Sequence, residues 1–276
     1  MTDAPLVLPF SDGRCRDALL SGGKGASLAV MTGVGLPVPP GFVVTAAAFA
    51  EAVDQANLQS LAVAKDMAGV RAVVGEAQPP LELIAQHYSE LCGSVAVRSS
   101  ACAEDSAAAS YAGQQETYLN VDTFESVLTY VVECWLSFFS ERAMFYREEK
   151  GDLKDVAMAV VIQQMVNSRV SGVLFTVDPV HGRRDRMVVE AAHGLGEVVV
   201  SGSVTPDHYV LDRKGVIKRS HLSVADCPVL EEDEIKRLAE LGEQVADLYG
   251  CPQDIEWAID DNNSLFLLQA RPVTTF

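Results

Sequence analysis

Positive charge is scarce in this sequence. Its 276 residues include 21 Lys and Arg against 38 Asp and Glu, so the formal net charge is −17 at pH 7. A field of that sign repels nucleic-acid backbones and anionic lipid surfaces, which argues against both kinds of partner. Each cation that lies among glycines or apolar residues is therefore a candidate for binding a small anion.

Cysteine motifs and long apolar runs are also missing. The six cysteines form no CxxC pair, and none lies near a histidine at metal-ligand spacing. This pattern favours reduced thiols over a disulfide framework or a zinc site. No apolar run approaches the roughly 18 residues of a membrane-spanning helix, and no secretion signal is present. We therefore expect a cytoplasmic globular protein.

The order of the apolar patterns predicts an α/β (α+β) fold. The first half mixes short strands with helices, including a long amphipathic helix from Thr123 to Lys150 whose aromatic face suits a core. The second half is richer in strands, and VAMAVVIQQMV and VSGVLFTVDPV are predicted strands joined by a tight turn at Asn167-Ser168. The predicted seam divides the chain into lobes of residues 1–163 and 164–276.

A long segment of small residues separates two strand-like stretches. VAV runs into Arg98, and the residues from Arg98 to Gly113 are mostly Ala, Ser and Gly before QETYLNV resumes a strand pattern. Connections inside compact domains are usually about four to six residues long. A longer connection between ordered strands is typical of a functional loop, so we expect this one to close over a ligand.

The segment SGGKGAS places Lys24 among glycines at the start of a predicted helix. Backbone N–H groups and the positive end of the helix dipole bind phosphate well at such a place. The segment is not a Walker A loop, because Gly25 stands where that motif needs Ser or Thr. Phosphate binding and a solvated surface lysine both remain open for Lys24.

The chain closes with a predicted hairpin that carries a polar patch. A two-residue turn at Asn262-Asn263 would place Glu256 opposite Gln269 and Asp254 opposite Arg271. Strand alternation puts these four side chains on one face. The other face is apolar: Ile255, Trp257, Ile259, Leu268 and Ala270. Such oxygen ligands suit Mg²⁺ and the arginine suits phosphate, whereas the alternative is an ordinary surface ion pair.

These pieces together resemble one known family. In chain order they are GGKGASL, PVPPGFVVT, VAVRSSACAEDSAAASYAGQQETYLNV, VIQQMV, SGVLFTVDPV, EAAHGLGEVVVSG and LLQARPVT. The set is similar to the N-terminal nucleotide-binding domain of the phosphoenolpyruvate synthase, pyruvate phosphate dikinase and rifampin phosphotransferase family. The resemblance covers essentially the whole chain. It implies an ATP-grasp fold, with ATP and Mg²⁺ held between two lobes.

The resemblance also implies roles for individual residues. Lys24, Arg98 and Arg271 are implied to contact the ATP phosphates and to be the catalytic groups, and Gly113 and Thr117 to belong to the loop that covers them. The adenine is implied to contact a run at the seam: Gln163, Met165 and Val166, with Gln164 as the alternative register. The metal ligands are implied to be Glu256 and Gln269, with Asp254 in support.

Two positions depart from the family pattern, and a whole element of it is missing. Cys102 stands where threonine is common, and His193 where an aromatic residue is common. None of the five histidines lies in a carrier-histidine motif. The resemblance therefore implies a partner, either a phosphohistidine swivelling domain or a separate subunit, together with an acceptor-substrate domain. On this interpretation the chain is an excised domain or a stand-alone subunit.

The leading hypothesis is thus an ATP-binding module of a dikinase-type phosphotransferase. The resemblance implies cleavage of ATP to AMP and phosphate, with the β-phosphoryl group passed to a partner histidine and then to a small-molecule acceptor. Two alternatives remain open. One is a stand-alone ATP-dependent kinase of a small molecule, and the other is a catalytically silent nucleotide-binding module.

Overall fold

The structure, a computed structural model of the chain, describes residues 4–102, 116–139, 158–200 and 202–274. The chain divides into two compact units: unit one is Met1–Val34 with Pro40–Met165, and unit two is Gly35–Pro39 with Val166–Phe276. The short segment Gly35–Pro39 joins unit two because the Leu267 N–H donates to the Pro37 carbonyl at 2.8 Å. The sequence predicted that two lobes, residues 1–163 and 164–276, hold a nucleotide, and this stays a prediction.

Unit one contains an antiparallel sheet, sheet one, in the strand order β1-β2-β5-β3-β4. Its strands are β1 (Val7–Pro9), β2 (Gly41–Val44), β3 (Val95–Ala101), β4 (Thr117–Val121) and β5 (Met158–Gln164). Its described helices are α1 (Ala18–Gly33), α2 (Ala46–Ala52), α3 (Gln55–Val63), α4 (Met67–Gly75), α5 (Leu81–Tyr88) and α6 (Phe124–Ser137), and a 3₁₀ turn spans Gly13–Arg16.

Different helices cover the two faces of sheet one. One face belongs to a large apolar core to which α2 to α6 contribute, where the rings of Phe49 and Trp135 meet edge to face at 5.5 Å. The other face lies against α1, whose Gly25 packs so closely on Val43 that an added Cβ would be 2.9 Å from that side chain. Because alternate strand residues face opposite sides, polar residues on the α1 side are separated from the core.

Two helix starts in unit one bear on the sequence predictions. Thr45 occupies the N-cap position of α2, but its hydroxyl donates to the Pro5 carbonyl at 2.7 Å and caps nothing. Thr123 does cap α6, because its hydroxyl oxygen accepts from the Ser126 N–H. The predicted continuation of this helix to Lys150 lies mostly outside the described residues.

Unit two contains a six-stranded antiparallel sheet, sheet two, in the order β11-β10-β6-β7-β8-β9. Its strands are β6 (Ser168–Phe175), β7 (Arg186–His193), β8 (Asp207–Asp212), β9 (Ile217–His221), β10 (Gln253–Asp260) and β11 (Leu265–Pro272). Its described helices are α7 (Glu197–Val200) and α8 (Glu232–Tyr249). The predicted hairpin of VAMAVVIQQMV and VSGVLFTVDPV is wrong, because the first strand pairs in sheet one and the second in sheet two.

Helix α8 covers one face of sheet two. Its start is fixed by a capping box between Glu231 and Glu234, and its end by Gly250 in the left-handed conformation. Gly242 of α8 packs on Leu174, where an added Cβ would lie 2.7 Å from the leucine methyl. The face that carries Leu174 also carries fully buried Trp257. The polar residues of β10 and β11 are therefore on the opposite face.

The two antiparallel sheets with their packed helices confirm the predicted α+β class. Among the helices in the described ranges, none combines the length and the apolar character needed to cross a membrane.

Candidate nucleotide-binding residues

The glycine-rich segment is locked onto β3 through Ser100. The Ser100 hydroxyl donates to the Ser21 carbonyl at 2.8 Å and accepts from the Gly25 N–H at 3.2 Å. Between them, Gly22 leaves the helical conformation with φ at 68° and ψ at 171°. A Cβ on Gly22 would lie 2.2 Å from the Ser100 hydroxyl oxygen, so only glycine fits there.

This geometry corrects the sequence argument about Lys24. The sequence suggested that the glycines leave backbone N–H groups open to a phosphate, whereas the N–H of Gly25 is bonded to Ser100 and these glycines serve close packing. The alternative of a solvated lysine is also wrong, because Lys24 is only 8% exposed. Its ammonium group donates to the Ser99 carbonyl at 2.9 Å, which anchors it beside β3.

Arg98 lies on the same face of sheet one as Ser100, two residues away on β3. It is 8% exposed, and its cross-strand neighbours are Thr117 on β4 and Val161 on β5. The structure therefore brings Lys24, Arg98 and Thr117 to one side of unit one. Arg98 lies within the strand, which continues to Ala101, and not at its end. Gly113 lies outside the described residues.

The two neighbouring glutamines at the end of β5 differ in their surroundings. Gln163 is 3% exposed, and its amide nitrogen has no hydrogen-bond partner among the described residues. The side-chain oxygen of Gln164 already accepts from the Cys92 N–H at 3.0 Å. The sequence left open whether Gln163 or Gln164 contacts the adenine. Gln163 fits a ligand contact better, because the side-chain oxygen of Gln164 is already bonded. Met165 and Val166 follow as partly buried residues.

In unit two, the predicted pairing at the polar patch is confirmed. Glu256 lies opposite Gln269, and Asp254 lies opposite Arg271. The predicted two-residue turn is wrong, because the pairing at the turn end is Ile259 with Leu265. A register shift after Glu256 compensates for the wider turn, and it places Leu267, not Leu268, in the apolar layer. Such bulges commonly re-aim side chains next to functional sites.

Asp254 and Arg271 form the ion pair that the alternative hypothesis predicted. The Arg271 Nε donates to the Asp254 carboxylate at 2.8 Å, while the side chains are 13% and 55% exposed for Asp254 and Arg271 respectively. Burial raises the pKa of the Asp254 carboxyl, with Glu256 adding to the shift and Arg271 opposing it. Arg271 thus stabilises the charged form of a largely buried carboxylate while keeping half of its own side chain exposed.

The donor set on this face fits Mg²⁺ in a nucleotide complex. No three His, Cys, Asp or Glu side chains within the described ranges form a group that could hold a metal by themselves. Mg²⁺ does not need such a group, since it usually takes one or two protein oxygens and fills its other positions with phosphate and water. The Glu256 carboxylate and the Gln269 amide oxygen can supply those two ligands.

The sequence argument missed Ser100 and gave no role to Glu190. Ser100 is fully buried, and its position two residues after Arg98, on the same face of β3, was the signal that could have identified it. Of the two departures from the family pattern, His193 is exposed at the end of β7 and Cys102 is partly buried just after β3.

Comparison with known proteins decides the family. The sequence profile described as "Pyruvate phosphate dikinase, AMP/ATP-binding domain" matches residues 18–276. The chain belongs to this family.

Curated relatives of the AMP/ATP-binding domain agree with that assignment. A protein of Methanocaldococcus jannaschii named "Probable phosphoenolpyruvate synthase" is 41% identical across 94% of this chain and 26% of its own length. One of the same name from Methanothermobacter thermautotrophicus is 41% identical across 94% of this chain and 44% of its length. The rifampicin phosphotransferase of Bacillus cereus is 35% identical across 98% of this chain and 36% of its length. The chain thus spans less than half of these relatives.

Solved structures give a weaker likeness. The biotin carboxylase of Campylobacter jejuni in its β-γ-ATP complex shares 13% identity over 92% of this chain and 41% of that chain, with a TM-score of 0.44. An ATP-grasp ligase, PsnB, with a precursor peptide and AMPPNP, shares 9% over 92% of this chain and 51% of that chain, with a TM-score of 0.36. Similarity at this level decides nothing about the function of this chain.

Proposed function

We propose that this chain is the MgATP-binding part of a dikinase-type phosphotransferase with an ATP-grasp fold. In the proposed reaction ATP yields AMP, the β-phosphoryl group passes to a histidine of a partner domain or subunit, and water takes the γ-phosphoryl group as phosphate. A small-molecule acceptor would then receive the phosphoryl group from the histidine. Family membership and the order of the quoted motifs favour this module over a stand-alone kinase or a silent nucleotide-binding protein.

The observation that carries the proposal is the pair of buried cations in unit one. Lys24 and Arg98 are each 8% exposed in a protein whose net charge is −17. The Lys24 ammonium group is bonded to the carbonyl of the residue next to Arg98, so both cations sit at the same part of β3. Removing cations from water is unfavourable unless anions or dipoles replace it. A triphosphate at this place would give both cations anionic partners, since Arg and Lys are suitable phosphate ligands.

Unit two supplies the oxygen ligands for the metal. We propose that Glu256 and Gln269 bind Mg²⁺, that Arg271 contacts phosphate, and that Asp254 positions Arg271 through their ion pair. When bound, Mg²⁺ would neutralise charge on the phosphate oxygens. In phosphoryl transfer the protein contributes mainly positioning and charge stabilisation, which charged and amide side chains of this kind can supply.

A titration of nucleotide binding tests the cation pair. Lys24→Met and Arg98→Met should each weaken MgATP binding about 10- to 100-fold, the value of one charged hydrogen bond. Lys214→Met is the matched control, because Lys214 is an exposed lysine of unit two. Isothermal titration calorimetry measures all three. Affinities of the Lys24 and Arg98 variants equal to that of the control would remove the cation pair from the proposal.

A second experiment tests the metal ligands. Glu256→Gln and Gln269→Ala should each raise the Mg²⁺ concentration needed for nucleotide binding at least about tenfold, since one of only two protein ligands is lost. Glu240→Gln, at an exposed carboxylate of α8, should leave that concentration unchanged. A Mg²⁺ requirement that does not differ between Glu256→Gln and Glu240→Gln would contradict the assignment.

A further inference from the structure

The polar pair that we propose as metal ligands belongs to a row that crosses all six strands of sheet two. Directly opposite residues of an antiparallel sheet project to the same face. The cross-strand partners along this row, from one edge of the sheet to the other, are Gln269, Glu256, Val173, Glu190, His208 and His221. A second carboxylate, Glu190, and a histidine, His208, therefore lie on the same face as Glu256 and Gln269 and in the same cross-strand row.

Glu190 and His208 form a polar pair of their own. The His208 Nδ1 lies 3.5 Å from a Glu190 carboxylate oxygen, and the side chains are 33% and 36% exposed for His208 and Glu190 respectively. Helix α8 packs on the opposite face, against Leu174. The pair is therefore accessible on the face that we assign to the nucleotide, and it is outside the buried core beneath α8.

Among the described residues, Glu190, His208 and Glu256 do not form a three-residue group that could hold one metal ion. Two strand spacings of about 4.8 Å place Glu190 roughly 10 Å from Glu256 along the row. The Glu190 carboxylate contacts His208 on β8, the neighbouring strand on the side away from Glu256. Val173 lies between the two carboxylates and packs with Ala192 and Val199 in an apolar cluster. That cluster separates two polar subsites on one face.

The same spacing fits the group that receives the phosphoryl. A near-attack acceptor atom lies about 3–3.5 Å from phosphorus. A general base lies about 2.6–3.2 Å from the proton-bearing atom of that acceptor. These contacts in series with a metal-bound phosphoryl group span on the order of 10 Å, which is comparable to the spacing between the backbone positions of Glu256 and Glu190 along the row.

We propose that Glu190 binds the imidazole of the phosphoryl-accepting histidine and that His208 positions Glu190; this rests on the proposed function. Glu190 accepts a hydrogen bond from one N–H of the incoming imidazole, which leaves the other nitrogen without a proton and aimed at phosphorus. As the nitrogen–phosphorus bond forms at the β-phosphorus, the bond from that phosphorus to the oxygen bridging to the α-phosphate breaks, and AMP leaves with that oxygen. The proton on the first nitrogen passes to the Glu190 carboxylate, so the product imidazole is neutral.

Free imidazole is the probe that tests the proposal on the chain as it exists. Wild-type protein with MgATP should consume ATP faster as imidazole is added, as followed by chromatography of the nucleotides. Glu190→Gln should lower the imidazole-dependent rate about 100-fold, within the usual range for a lost general base. The same variant should keep its MgATP dissociation constant within about twofold, because Glu190 does not touch the nucleotide or its metal. Glu240→Gln is the matched control and should match wild type in both measurements.

His208 is tested as a positioning residue. His208→Ala should raise the imidazole concentration for half-maximal rate several-fold and leave MgATP binding unchanged, since only the orientation of Glu190 is lost. His208→Asn keeps a side-chain N–H donor and should recover most of that loss. If His208 had only a structural role, its replacement would weaken nucleotide binding and lower thermal stability together with the rate. If Glu190→Gln does not fold, Glu190→Asp keeps the charge and should lower the rate about tenfold by shortening its reach.

Each outcome decides a different claim. Wild-type protein that does not bind MgATP refutes the proposed function itself. Wild-type protein that binds MgATP and shows no imidazole-dependent consumption overturns the acceptor subsite, and so does a Glu190→Gln rate equal to that of wild type. A Glu190→Gln variant that loses MgATP affinity in proportion to its rate makes Glu190 a nucleotide contact, which also overturns it.

Discussion

Replacing Ser100 with alanine should loosen the segment that carries Lys24. The Ser100 hydroxyl is the shared partner of the Ser21 carbonyl and the Gly25 N–H, on either side of the break at Gly22. All of these residues are buried. Alanine at position 100 therefore leaves one backbone acceptor and one backbone donor without that partner in a place that water does not reach.

The size of the effect follows from those two groups. A buried backbone group without a hydrogen bond costs about 1–3 kcal/mol, and removing the hydroxyl returns part of its own desolvation cost. The net loss in the free energy of unfolding should be about 3 kcal/mol, or roughly a hundredfold in the folding equilibrium. For a chain of this size the loss corresponds to a melting temperature about 6–12 °C lower. MgATP affinity should fall about threefold to tenfold, because Lys24 is less well preorganised.

Urea unfolding followed by circular dichroism measures the loss in the free energy of unfolding. Spectroscopic probes are needed in both units because the two units can unfold separately. Ser60→Ala is the control: its hydroxyl donates to the Ala56 carbonyl four residues earlier on an exposed helix. That change should cost less than about 0.5 kcal/mol. Equal stability losses for Ser100→Ala and Ser60→Ala would refute the reasoning.

Three further outcomes follow from single residues. Gly22→Ala should destabilise unit one by at least about 3 kcal/mol, because φ is positive and the new Cβ would clash with Ser100; a loss below about 1 kcal/mol would contradict this. Asp207 is buried and its pKa is lowered, since hydrogen bonds from neighbouring N–H and O–H groups outweigh the opposing effect of burial. The contribution of Asp207 to stability is therefore present above its unfolded pKa and is lost as pH falls through its folded pKa. In Asp207→Asn the free energy of unfolding should depend less on pH in this acid range. The same pH dependence in the variant and the wild type would disprove this role of Asp207. Burial raises the pKa of the Cys15 thiol to about 11, so iodoacetamide at pH 8 should label exposed Cys92 first, as mass spectrometry of the native protein would show; equal labelling rates would contradict the burial argument.

The hairpin shows what the sequence could predict about the site. An assumed two-residue turn predicted the pairing of Glu256 with Gln269 and of Asp254 with Arg271, and this pairing is present. The turn was misjudged, because Asp260 accepts hydrogen bonds from Asn262 and Ser264 and widens it. The pairing at the patch survived because the register shift after Glu256 offsets the wider turn. The correct pairing at the patch thus results from two deviations that cancel, the wider turn and the bulge, and the local turn rule predicted neither.

The glycine-rich segment shows the limit of local reasoning. Its composition suggested an open phosphate loop, whereas contacts with other parts of the chain, Ser100 for Gly22 and Val43 for Gly25, determine why these residues must be glycine. The Glu190–His208 pair was equally out of reach, because it depends on the order of strands in sheet two. Contacts between distant parts of the chain decide both features, and no spacing within one segment encodes them.

The separation of charges between the units is itself an argument about function. Unit one holds Lys24 and Arg98, while Glu256 and Gln269 are in unit two. MgATP carries both kinds of charge, since its phosphates attract cations and its metal attracts carboxylate and amide oxygens. Cations and carboxylates placed side by side in one unit would pair with each other, as Arg271 and Asp254 do. Under the proposed function each set matches one part of MgATP, so MgATP should stabilise unit one through Lys24 and Arg98 and unit two through Glu256 and Gln269.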